Sequence, residues 1–438
     1  MRTSFLRLLL GAAASAALLA GCGGGDVSPN AGEVRLVNAT GEFGTLDLYE
    51  SSNRLSQGVA PFTAGHYEDL NKGVYDFSIR GGVAGATIAT LEATLKKGDP
   101  MTLVAYSNAG TPALAAIDET EDEPDKGAAK LRFFNTAASD SGAIDAYLID
   151  ISDSCTNLST ATSVATAVSD LQSTFIDINP SGTTPYRLCV TAAGDRTDVR
   201  LDTGLAIGDR EIVTVILSRT PGAVLLNGAA MVQEGDVTQA ANDAARVRLA
   251  VGVSTGTVTA SFDTASTSTI LGNAVSAGSV GTYRIVPTGT TLVVTWSGGT
   301  VALPTNTISG GGDYTLLVAE GPAAGTATAT LLPDDNARST NTTKPVKMRL
   351  VHGATTTNPI ALSVGTDFIG GVAQGTASAY VLTEASGSTA TKVEITDAGT
   401  ILCTGLTTLS ATPTVYSVFA LGALPASPVG PCIIRADR

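Results

Sequence analysis

Cys22 is the residue whose surroundings in the sequence most clearly predict a chemical reaction. It ends the run Leu-Ala-Gly-Cys, behind an apolar stretch over residues 6–20 and two arginines, Arg2 and Arg7. A positive start, a short apolar segment and small residues before the cut are the order of a secretory signal peptide. The stretch is short for a membrane-spanning helix, which needs roughly 20 apolar residues. The sequence therefore predicts a removable signal peptide over residues 1–21.

The run Leu-Ala-Gly-Cys resembles the lipobox of bacterial lipoproteins. The resemblance implies that the thiol of Cys22 carries a diacylglycerol, that the chain is cut just before it, and that lipid anchors the protein to a membrane. An ordinary signal peptide with a chance cysteine is the alternative. Two or three acyl chains, at about 0.8 kcal/mol per buried CH₂, would hold the protein firmly.

Residues 22–32 are interpreted as a Gly-rich tether between the lipid and the folded part. Lipoproteins retained at the inner membrane tend to carry aspartate directly after the lipidated cysteine. Here that residue is Gly23. The resemblance therefore implies the outer membrane of a Gram-negative bacterium.

The other four cysteines are predicted to form two disulfides in an oxidising compartment. Of the three possible connectivities, we favour Cys155–Cys189 and Cys403–Cys432, because each pair lies within one of the repeats described below. Closing loops of about 30 residues would stabilise each by roughly 3–4 kcal/mol. A metal site is the alternative, but no Cys-x-x-Cys occurs and both histidines lie far away in the sequence. No metal or other cofactor is expected.

The two histidines, His66 and His352, offer little for catalysis. They lie in different repeats, and His352 occupies the position of Asn38 and Asn135, which predicts a polar residue where a strand ends. No Gly-x-Ser-x-Gly, His-Glu-x-x-His, phosphate-binding loop or dinucleotide motif occurs. The chain is therefore not expected to be an enzyme. A hydrolase that uses carboxylates alone is the remaining enzymatic alternative.

Carboxylates are dense over residues 118–125, where six of the eight side chains are acidic. Such a group could collect Ca²⁺, which favours six to eight oxygen ligands. The spacing matches no EF-hand, and a run of like charge is usually solvated. We interpret the segment as a linker, with calcium binding as the alternative.

Asp47 and Asp145 each begin an Asp-x-Tyr triplet at corresponding places in the first two repeats. The third and fourth repeats lack this aspartate. The favoured interpretation is a repeated turn or strand-edge residue that pairs with the neighbouring Arg35 or Arg132. The alternative is a ligand contact made by the first two repeats only.

One pattern recurs four times along the chain. It opens with a strand-like run that contains Arg35, Arg132, Arg248 or Arg349, and these arginines are 97, 116 and 101 residues apart. From each arginine to the last strand-like run of its repeat, the offsets are 66, 79, 65 and 65 residues, and a Gly-Asp turn precedes that run in three repeats. The second repeat is longer because of an insertion near residues 149–174.

Composition agrees with short strands and many turns. Charged residues are only 15% of the chain, whereas Gly, Thr, Ser, Ala and Val are abundant. The predicted fold class is all-β, with tandem antiparallel β-sandwich-like (Ig-like) domains. Helix should be scarce, with residues 162–171 as the best candidate and 239–245 as a weaker one. The domains are placed at residues 33–126, 127–243 (with the insertion), 244–343 and 344–438.

Each repeat of about 100 residues is large enough to own a core, so a repeat should stay folded when another is deleted. The net charge is −14, and it becomes −16 once Arg2 and Arg7 leave with the signal peptide. Nucleic acid is therefore not expected as a partner. Lipid on Cys22, rather than charge, is expected to hold the protein at the membrane.

The four openings, the triplets at Asp47 and Asp145 and the Gly-Asp turns resemble the bacterial family called domain of unknown function 4397. That family occurs as tandem β-rich copies in secreted and lipid-anchored proteins. The resemblance extends over nearly all the mature chain and is strongest in the first two repeats. It supplies no catalytic residues.

Three classes of function follow from these patterns. A non-catalytic, surface-displayed binding or adhesion module is favoured, with an unknown protein or glycan as its ligand. A periplasmic structural scaffold of the envelope is the alternative. An enzyme is the least expected.

Overall fold

The computed structural model describes residues 30–81, 85–169, 171–264, 267–356, 358–423 and 432–438. Cys22, the signal peptide and most of the tether lie outside the described residues. Within these ranges the regular structure consists of 35 strands and one four-residue helix. The strands form eight sheets, two in each of four successive units of the chain, which confirms the all-β prediction. No helix among the described residues is long and apolar enough to cross a membrane.

Unit 1 covers residues 31–118. Its strands are β1 (Ala31–Asn38), β2 (Leu46–Glu50), β3 (Asn53–Val59), β4 (Thr63–Ala64), β5 (Glu68–Asn71), β6 (Gly73–Gly81), β7 (Thr87–Leu95), β8 (Pro100–Asn108) and β9 (Thr111–Asp118). One sheet has the order β4-β1-β8-β9, with β5 also paired to β1, and the other has the order β3-β2-β6-β7.

Unit 2 covers residues 129–240. Its elements are β10 (Ala129–Asn135), α1 (Ala138–Ser141), β11 (Ile144–Asp150), β12 (Ser163–Val168), β13 (Ile176–Ile178), β14 (Tyr186–Ala192), β15 (Asp195–Leu205), β16 (Ile212–Arg219), β17 (Leu226–Val232) and β18 (Val237–Ala240). The sheets have the orders β13-β10-β16-β17-β18 and β12-β11-β14-β15.

Unit 3 covers residues 244–333. Its strands are β19 (Ala244–Gly252), β20 (Thr257–Asp263), β21 (Ser268–Ser276), β22 (Arg284–Pro287), β23 (Thr291–Trp296), β24 (Thr300–Ala302), β25 (Asp313–Glu320) and β26 (Thr326–Pro333). The sheets have the orders β22-β19-β25-β26-β24 and β21-β20-β23.

Unit 4 covers residues 346–436. Its strands are β27 (Val346–Ala354), β28 (Ile360–Val364), β29 (Asp367–Val372), β30 (Thr376–Ala377), β31 (Val381–Thr383), β32 (Thr391–Asp397), β33 (Thr400–Thr407), β34 (Thr414–Gly422) and β35 (Ile433–Ala436). The sheets have the orders β30-β27-β34-β35, with β31 also paired to β27, and β29-β28-β32-β33.

In every unit, the first strand pairs in parallel with one of its neighbours in the sheet. The parallel pairs are β1 with β8, β10 with β16, β19 with β25, and β27 with β34. These strands are buried on both faces; every residue of β27, for example, is buried. In contrast, β20 alternates between half-buried and buried residues, as expected for a strand with one face on the core.

Double burial arises because the units pack in pairs. Each unit has its own hydrophobic core between its two sheets. A further apolar cluster joins units 1 and 2, and includes Val104, Ile117, Phe134, Ile216 and Met231. Another joins units 3 and 4, and includes Ala250, Leu317, Val351, Phe419 and Leu421. The sheet that contains the parallel pair therefore has its own core on one face and the paired unit on the other.

Both predicted disulfides are confirmed. Cys155 is bonded to Cys189 on β14, with Cα atoms 5.5 Å apart, so the bond ties the insertion of unit 2 to its sheet. Cys403 on β33 is bonded to Cys432, with Cα atoms 5.1 Å apart.

Both helix predictions are wrong. Residues 163–168 form β12, which pairs with β11, and residues 239–245 end β18 and begin β19. Alanine is the strongest helix former, but helix propensity is a small energy per residue, and pairing with a neighbouring strand outweighs it here. The helix that does form, α1, lies at residues where none was predicted.

Candidate functional site

A buried arginine lies on the first strand of each unit. A buried guanidinium is costly unless its donors are satisfied and its charge is paired. The four are Arg35, Arg132, Arg248 and Arg349, of which 3%, 8%, 3% and 1% is exposed. Each donates from Nε, at 2.8–3.0 Å, to a hydroxyl on the parallel neighbour strand: Thr102, Thr214, Thr315 and Ser417, respectively.

Two further positions repeat around each arginine. An aromatic ring lies 4.3–5.0 Å from the guanidinium carbon: Tyr67, Phe175, Tyr283 and Tyr380. The other position directly follows the strand that pairs antiparallel with the hydroxyl-bearing strand, and we count it with that unit. Equivalent backbone hydrogen bonds identify it in the four units as Glu119, Gln233, Asp334 and Asp437. We call each set of arginine, hydroxyl, aromatic ring and acid or amide an arginine clamp.

The clamps of units 3 and 4 interlock through their hydroxyl groups. Arg248 of unit 3 donates from Nη2 to Ser417 Oγ of unit 4 at 3.0 Å. Arg349 of unit 4 donates from Nη2 to Thr315 Oγ1 of unit 3 at 3.3 Å. Each hydroxyl therefore accepts from the arginine of its own unit and from that of the paired unit, which relates the two units by an approximate twofold axis.

The acids of these two clamps cross the same interface. Arg248 forms an ion pair with Asp437 of unit 4, and Arg349 forms one with Asp334 of unit 3. Burial opposes the charge of Arg248, but Tyr283 and the carboxylates of Asp437 and Asp334 raise its pKa above the ordinary value. The guanidinium thus stays charged inside the interface.

Units 1 and 2 are joined in a related way with fewer carboxylates. Arg35 pairs with Glu119 of its own unit at 3.0 Å, and its Nη1 donates to the carbonyl of Gly235 in unit 2 at 2.5 Å. In return, Arg132 of unit 2 donates to the carbonyl of Asp118 at 3.3 Å. The clamps therefore hold the units in the pairs 1–2 and 3–4.

Asp47 and Asp145 accept hydrogen bonds from backbone amides. Asp145 receives the N–H of Ala167 at 2.8 Å and that of Gly194 at 2.9 Å, one on each carboxylate oxygen. Asp47 receives the N–H of Gly58 at 2.6 Å. Both aspartates are buried.

The amides of Gly58 and Ala167 belong to a bulge that recurs in all four units. Gly58 and Ala167 lie where the strand register shifts, with φ of 65° and 50°. In unit 3 the corresponding Ala274 has φ of 49°, and its N–H donates to Thr259 Oγ1 at 3.0 Å. In unit 4 the position is Gly371, with φ of 72°. A residue in the left-handed region costs free energy unless it is glycine. In units 1, 2 and 3 a side-chain oxygen accepts the N–H of this residue and stabilises the bulge.

The ion pairs predicted for these aspartates are wrong. Arg35 and Arg132 point into the interface between units 1 and 2, and the nearest cation to Asp47 is Arg54, whose Nη1 lies 3.8 Å from Oδ2. A ligand contact through Asp47 or Asp145 stays a prediction.

The two histidines lie apart. His66 is exposed, whereas His352 is buried at the end of β27, with Nε2 3.2 Å from the carbonyl of Asn358. Burial lowers the pKa of His352 below its ordinary value. At the equivalent position, the amides of Asn38 and Asn135 each bridge two backbone carbonyls.

Three acids of the 118–125 segment form ion pairs with cations of units 1 and 2. The pairs are Glu119 with Arg35, Glu121 with Lys130, and Glu123 with Arg210. Within the described ranges, no three His, Cys, Asp or Glu side chains form a group that could hold a metal ion.

A cavity of about 460 Å³ adjoins the clamps of units 3 and 4 and extends to unit 2. Its lining is partly apolar, as at Pro333. A few polar side chains also line it, including Tyr314, Asp335, Arg349 and Tyr380. The hydroxyl of Tyr380 is buried without a hydrogen-bond partner among the described residues. Apolar walls with a few fixed polar groups are typical of ligand sites.

One segment of the chain matches a known family of domains. Residues 32–147 match the family described as domain of unknown function DUF4397. The match covers unit 1 and the beginning of unit 2, and therefore less of the chain than the resemblance suggested. No curated protein matches the chain significantly.

The DUF4397 segment carries the repeated features described above. It includes the complete clamp of unit 1, the bulge aspartates Asp47 and Asp145, and the arginine of the second clamp, Arg132. The corresponding sets in units 3 and 4 lie beyond the matched residues.

Solved structures align with the chain only distantly. A family 26 carbohydrate-binding module from Eubacterium rectale, in complex with maltoheptaose, covers 48% of this chain and 99% of its own at 7% identity, with a TM-score of 0.16. The Bacillus anthracis TIE protein covers 69% of this chain and 51% of its own at 8% identity, with a TM-score of 0.14. A multi-modular glycogen-degrading pneumococcal virulence factor covers 84% of this chain and 37% of its own at 8% identity, with a TM-score of 0.16. Scores this low support no functional inference.

Proposed function

We propose that this protein is a lipid-anchored, non-catalytic binding module of the cell envelope, displayed outward from the outer membrane. The observation that carries the proposal is the use of buried charge in the arginine clamps. Buried charged groups are where catalytic machinery is usually found, because burial and neighbouring charges tune their pKa values. Here these groups hold units face to face instead.

The remaining titratable groups support the same conclusion. A general base must lie within hydrogen-bond reach of the proton that it removes. His352, the buried histidine, faces a backbone carbonyl, and Asp145 spends both carboxylate oxygens on amides. Among the described residues, the clamps and bulges thus account for the four buried arginines and for four of the six buried acids. The other two acids, Asp140 and Asp313, form ion pairs with Arg219 and Arg246.

The anchor rests on the sequence. The run that ends at Cys22 supports lipidation, and Gly23 supports transfer to the outer membrane. The test is metabolic labelling with a fatty-acid analogue in cells that express the wild type or the Cys22→Ser variant. The wild type should be labelled, whereas the variant should be unlabelled and remain as precursor. Labelling that persists in the variant would refute the anchor.

Binding without turnover needs a separate test. The mature chain from residue 23 onward, immobilised on beads, should retain a glycan or protein from an envelope extract in a saturable way. Mass spectrometry of the recovered ligand should find it chemically unchanged. Conversion of the ligand into a product would show that the protein is an enzyme.

A periplasmic scaffold is the second candidate. The interlocked clamps of units 3 and 4 favour it, since a fixed geometry between units suits a spacer as well as a binding module. A scaffold and a displayed module differ in their location, which protease shaving of intact cells measures.

A further inference from the structure

Four arginines from different parts of the chain line one cavity at the junction of units 2, 3 and 4. The cavity has a volume of about 330 Å³. The arginines are Arg200 on β15, Arg246 on β19, Arg338 after β26 and Arg438 after β35. This concentration of positive charge is unexpected in a chain with a net charge of −14.

The charges around the cavity do not cancel. Arg200 and Arg246 each have an acidic partner outside the lining. Arg338 and Arg438 form no ion pair with any residue that the structure describes. Neither guanidinium group therefore has a carboxylate within ion-pair distance among the described residues.

The two acids of the lining are already paired. Asp140 lies 3.4 Å from Arg219, and Asp437 belongs to the clamp of Arg248. Asp140 also favours the charge of Arg438, but the lining still carries four guanidinium groups against two carboxylates, so the excess charge of the cavity is positive.

The arginines are held in place with donors unused. Arg200 donates from Nη1 to the carbonyl of Val224 at 3.1 Å, while its buried Nε–H has no acceptor among the described residues. Arg438 donates to the carbonyl of Ala223. Burial and the guanidinium group of Arg338, with smaller effects of Arg200 and Arg246, lower the pKa of Arg438 to about 10, although the carboxylate of Asp140 acts in the opposite direction. The site is electrostatically unfavourable as it stands, and a bound anion would relieve it.

We propose that this cavity binds the oxyanion group, a phosphate, sulfate or carboxylate, of a small ligand. Guanidinium groups present planar pairs of donors that match such oxygens, and hydrogen bonds between two charged groups are the strongest in proteins. The volume lies at the low end of the range for ligand pockets, about 300–1,000 Å³, and exceeds what one oxyanion needs. The ligand therefore carries a small further body, such as one acidic sugar residue. The proposal rests on the binding role above and specifies one ligand class for it.

The test is calorimetric titration of the mature chain with inorganic phosphate, sulfate and acetate, with ionic strength held constant by sodium chloride. At least one of the three anions should bind at one site per chain, and the tightest identifies the oxyanion. Arg338→Gln should weaken binding at least about tenfold, since a hydrogen bond between charged groups contributes roughly 1.5–3 kcal/mol. Arg438→Gln should do the same. Because Arg338 is exposed and unpaired, its replacement should leave folding intact even if Arg438→Gln impairs it.

Arg284→Gln is the matched control, because Arg284 is also exposed but does not line the cavity. It removes the same charge and should leave binding unchanged. Binding no stronger than that of chloride, or equal losses in Arg338→Gln and Arg284→Gln, would overturn the proposal. Such a failure would leave acyl labelling and retention of an envelope ligand unaffected, so it is distinguishable from failure of the proposed function.

Discussion

The four buried arginines share a hydroxyl and an aromatic neighbour, but they differ in the charge that faces them. Arg349 is paired with the buried carboxylate of Asp334, whereas unit 2 carries Gln233 where the other units carry an acid, and Arg132 donates to the amide oxygen of Gln172 instead. Removing one partner of a buried ion pair leaves the other charge without compensation. The cost of replacing these arginines should therefore be unequal.

Arg349→Met should lower the free energy of unfolding by about 3–5 kcal/mol, because it removes the nearer cation from the buried Asp334 and leaves only Arg248, whose Nη2 is 3.7 Å from Oδ2. Arg132→Met should cost roughly 1–2 kcal/mol, within the usual range of single substitutions, since its removal leaves no acid unpaired. Chemical denaturation of both variants measures the difference. Equal losses would show that the carboxylate does not govern the stability of the clamp.

The bulge aspartates are predicted to act on stability rather than on binding. Asp145→Asn keeps one acceptor but turns an amide N–H₂ toward a backbone N–H, and should cost about 1–3 kcal/mol. Asp47→Asn should cost less, because its second carboxylate oxygen accepts no hydrogen bond from the described residues, and the two losses should add because the residues lie in different units. Exposed Asp153 provides the control: Asp153→Asn should be neutral.

Partner binding is measured on the same Asp47→Asn, Asp145→Asn double variant. If binding is lost while thermal unfolding is unchanged, the two carboxylates contact a ligand. The structural role argued here would then be wrong.

His352 should make stability depend on pH. Burial lowers its pKa from the ordinary 6.5, so below that value the unfolded chain binds the proton more readily than the folded protein. Stability should therefore be present above pH 6.5 and be lost as the pH falls from there toward the lowered pKa. His352→Asn, which installs the residue of units 1 and 2, should reduce this loss in denaturation curves between about pH 7 and about pH 5.

Replacement of the exposed histidine, His66→Asn, is the control and should leave the pH profile of the wild type intact. A profile that His352→Asn does not change would assign the pH dependence to other groups.

At the scale of elements, the sequence allowed the strands to be predicted but not their partners. The recurring openings fall on β1, β10, β19 and β27, as expected from their β-branched and aromatic residues. Their parallel pairing could not be predicted, because it joins the first strand of each unit to a strand near the end of that unit. A nearly constant separation was nevertheless present in three units: the distance from each arginine to its hydroxyl is 67, 82, 67 and 68 residues, and the second unit carries the insertion. Only the geometry gives that separation a meaning.

The same limit explains the failed helix at residues 162–171. Local composition suggested helix, but Ser163 and Ala165 pair with Tyr147 and Ala146 on β11. Tertiary pairing decided the outcome, and local propensity carries no information about it. The disulfides were predictable because both cysteines of each pair lie in one repeat.

The clusters between units change one expectation about the repeats. Each unit has its own core, but units 1 and 2 share one apolar cluster and units 3 and 4 share another. Deleting unit 4 would expose Ala250, Leu317 and Leu332 of unit 3 to water. A single unit is therefore not expected to be removable without loss to its partner.

Fragments test this directly. Residues 23–241, which keep units 1 and 2 together, should fold with a cooperative transition close to that of the same units in the full chain. Residues 23–126, which contain unit 1 alone, should unfold several degrees lower and bind a hydrophobic dye, because their half of the shared cluster is exposed. Equal melting temperatures of the two fragments would show that the interface contributes nothing.

At the scale of the whole molecule, four units are held in two pairs, and the sequence before them predicts a lipid anchor. The anchor stays a prediction, which rests on the short contiguous run that ends at Cys22. The clamps and the arginine-lined cavity could not be predicted, because their residues come from strands and linkers far apart in the chain.

The central claim is outward display of these paired units on lipid, and protease shaving of intact cells tests it most directly. Peptides released by a brief treatment are identified by mass spectrometry, with a soluble periplasmic protein as the control for cell integrity. The account predicts release of peptides from residues 31–438 of the wild type while the control protein stays intact, and no such release from cells that express Cys22→Ser. A protein that resists protease on intact cells, and is cut only after the outer membrane is made permeable, would contradict display and establish the periplasmic scaffold.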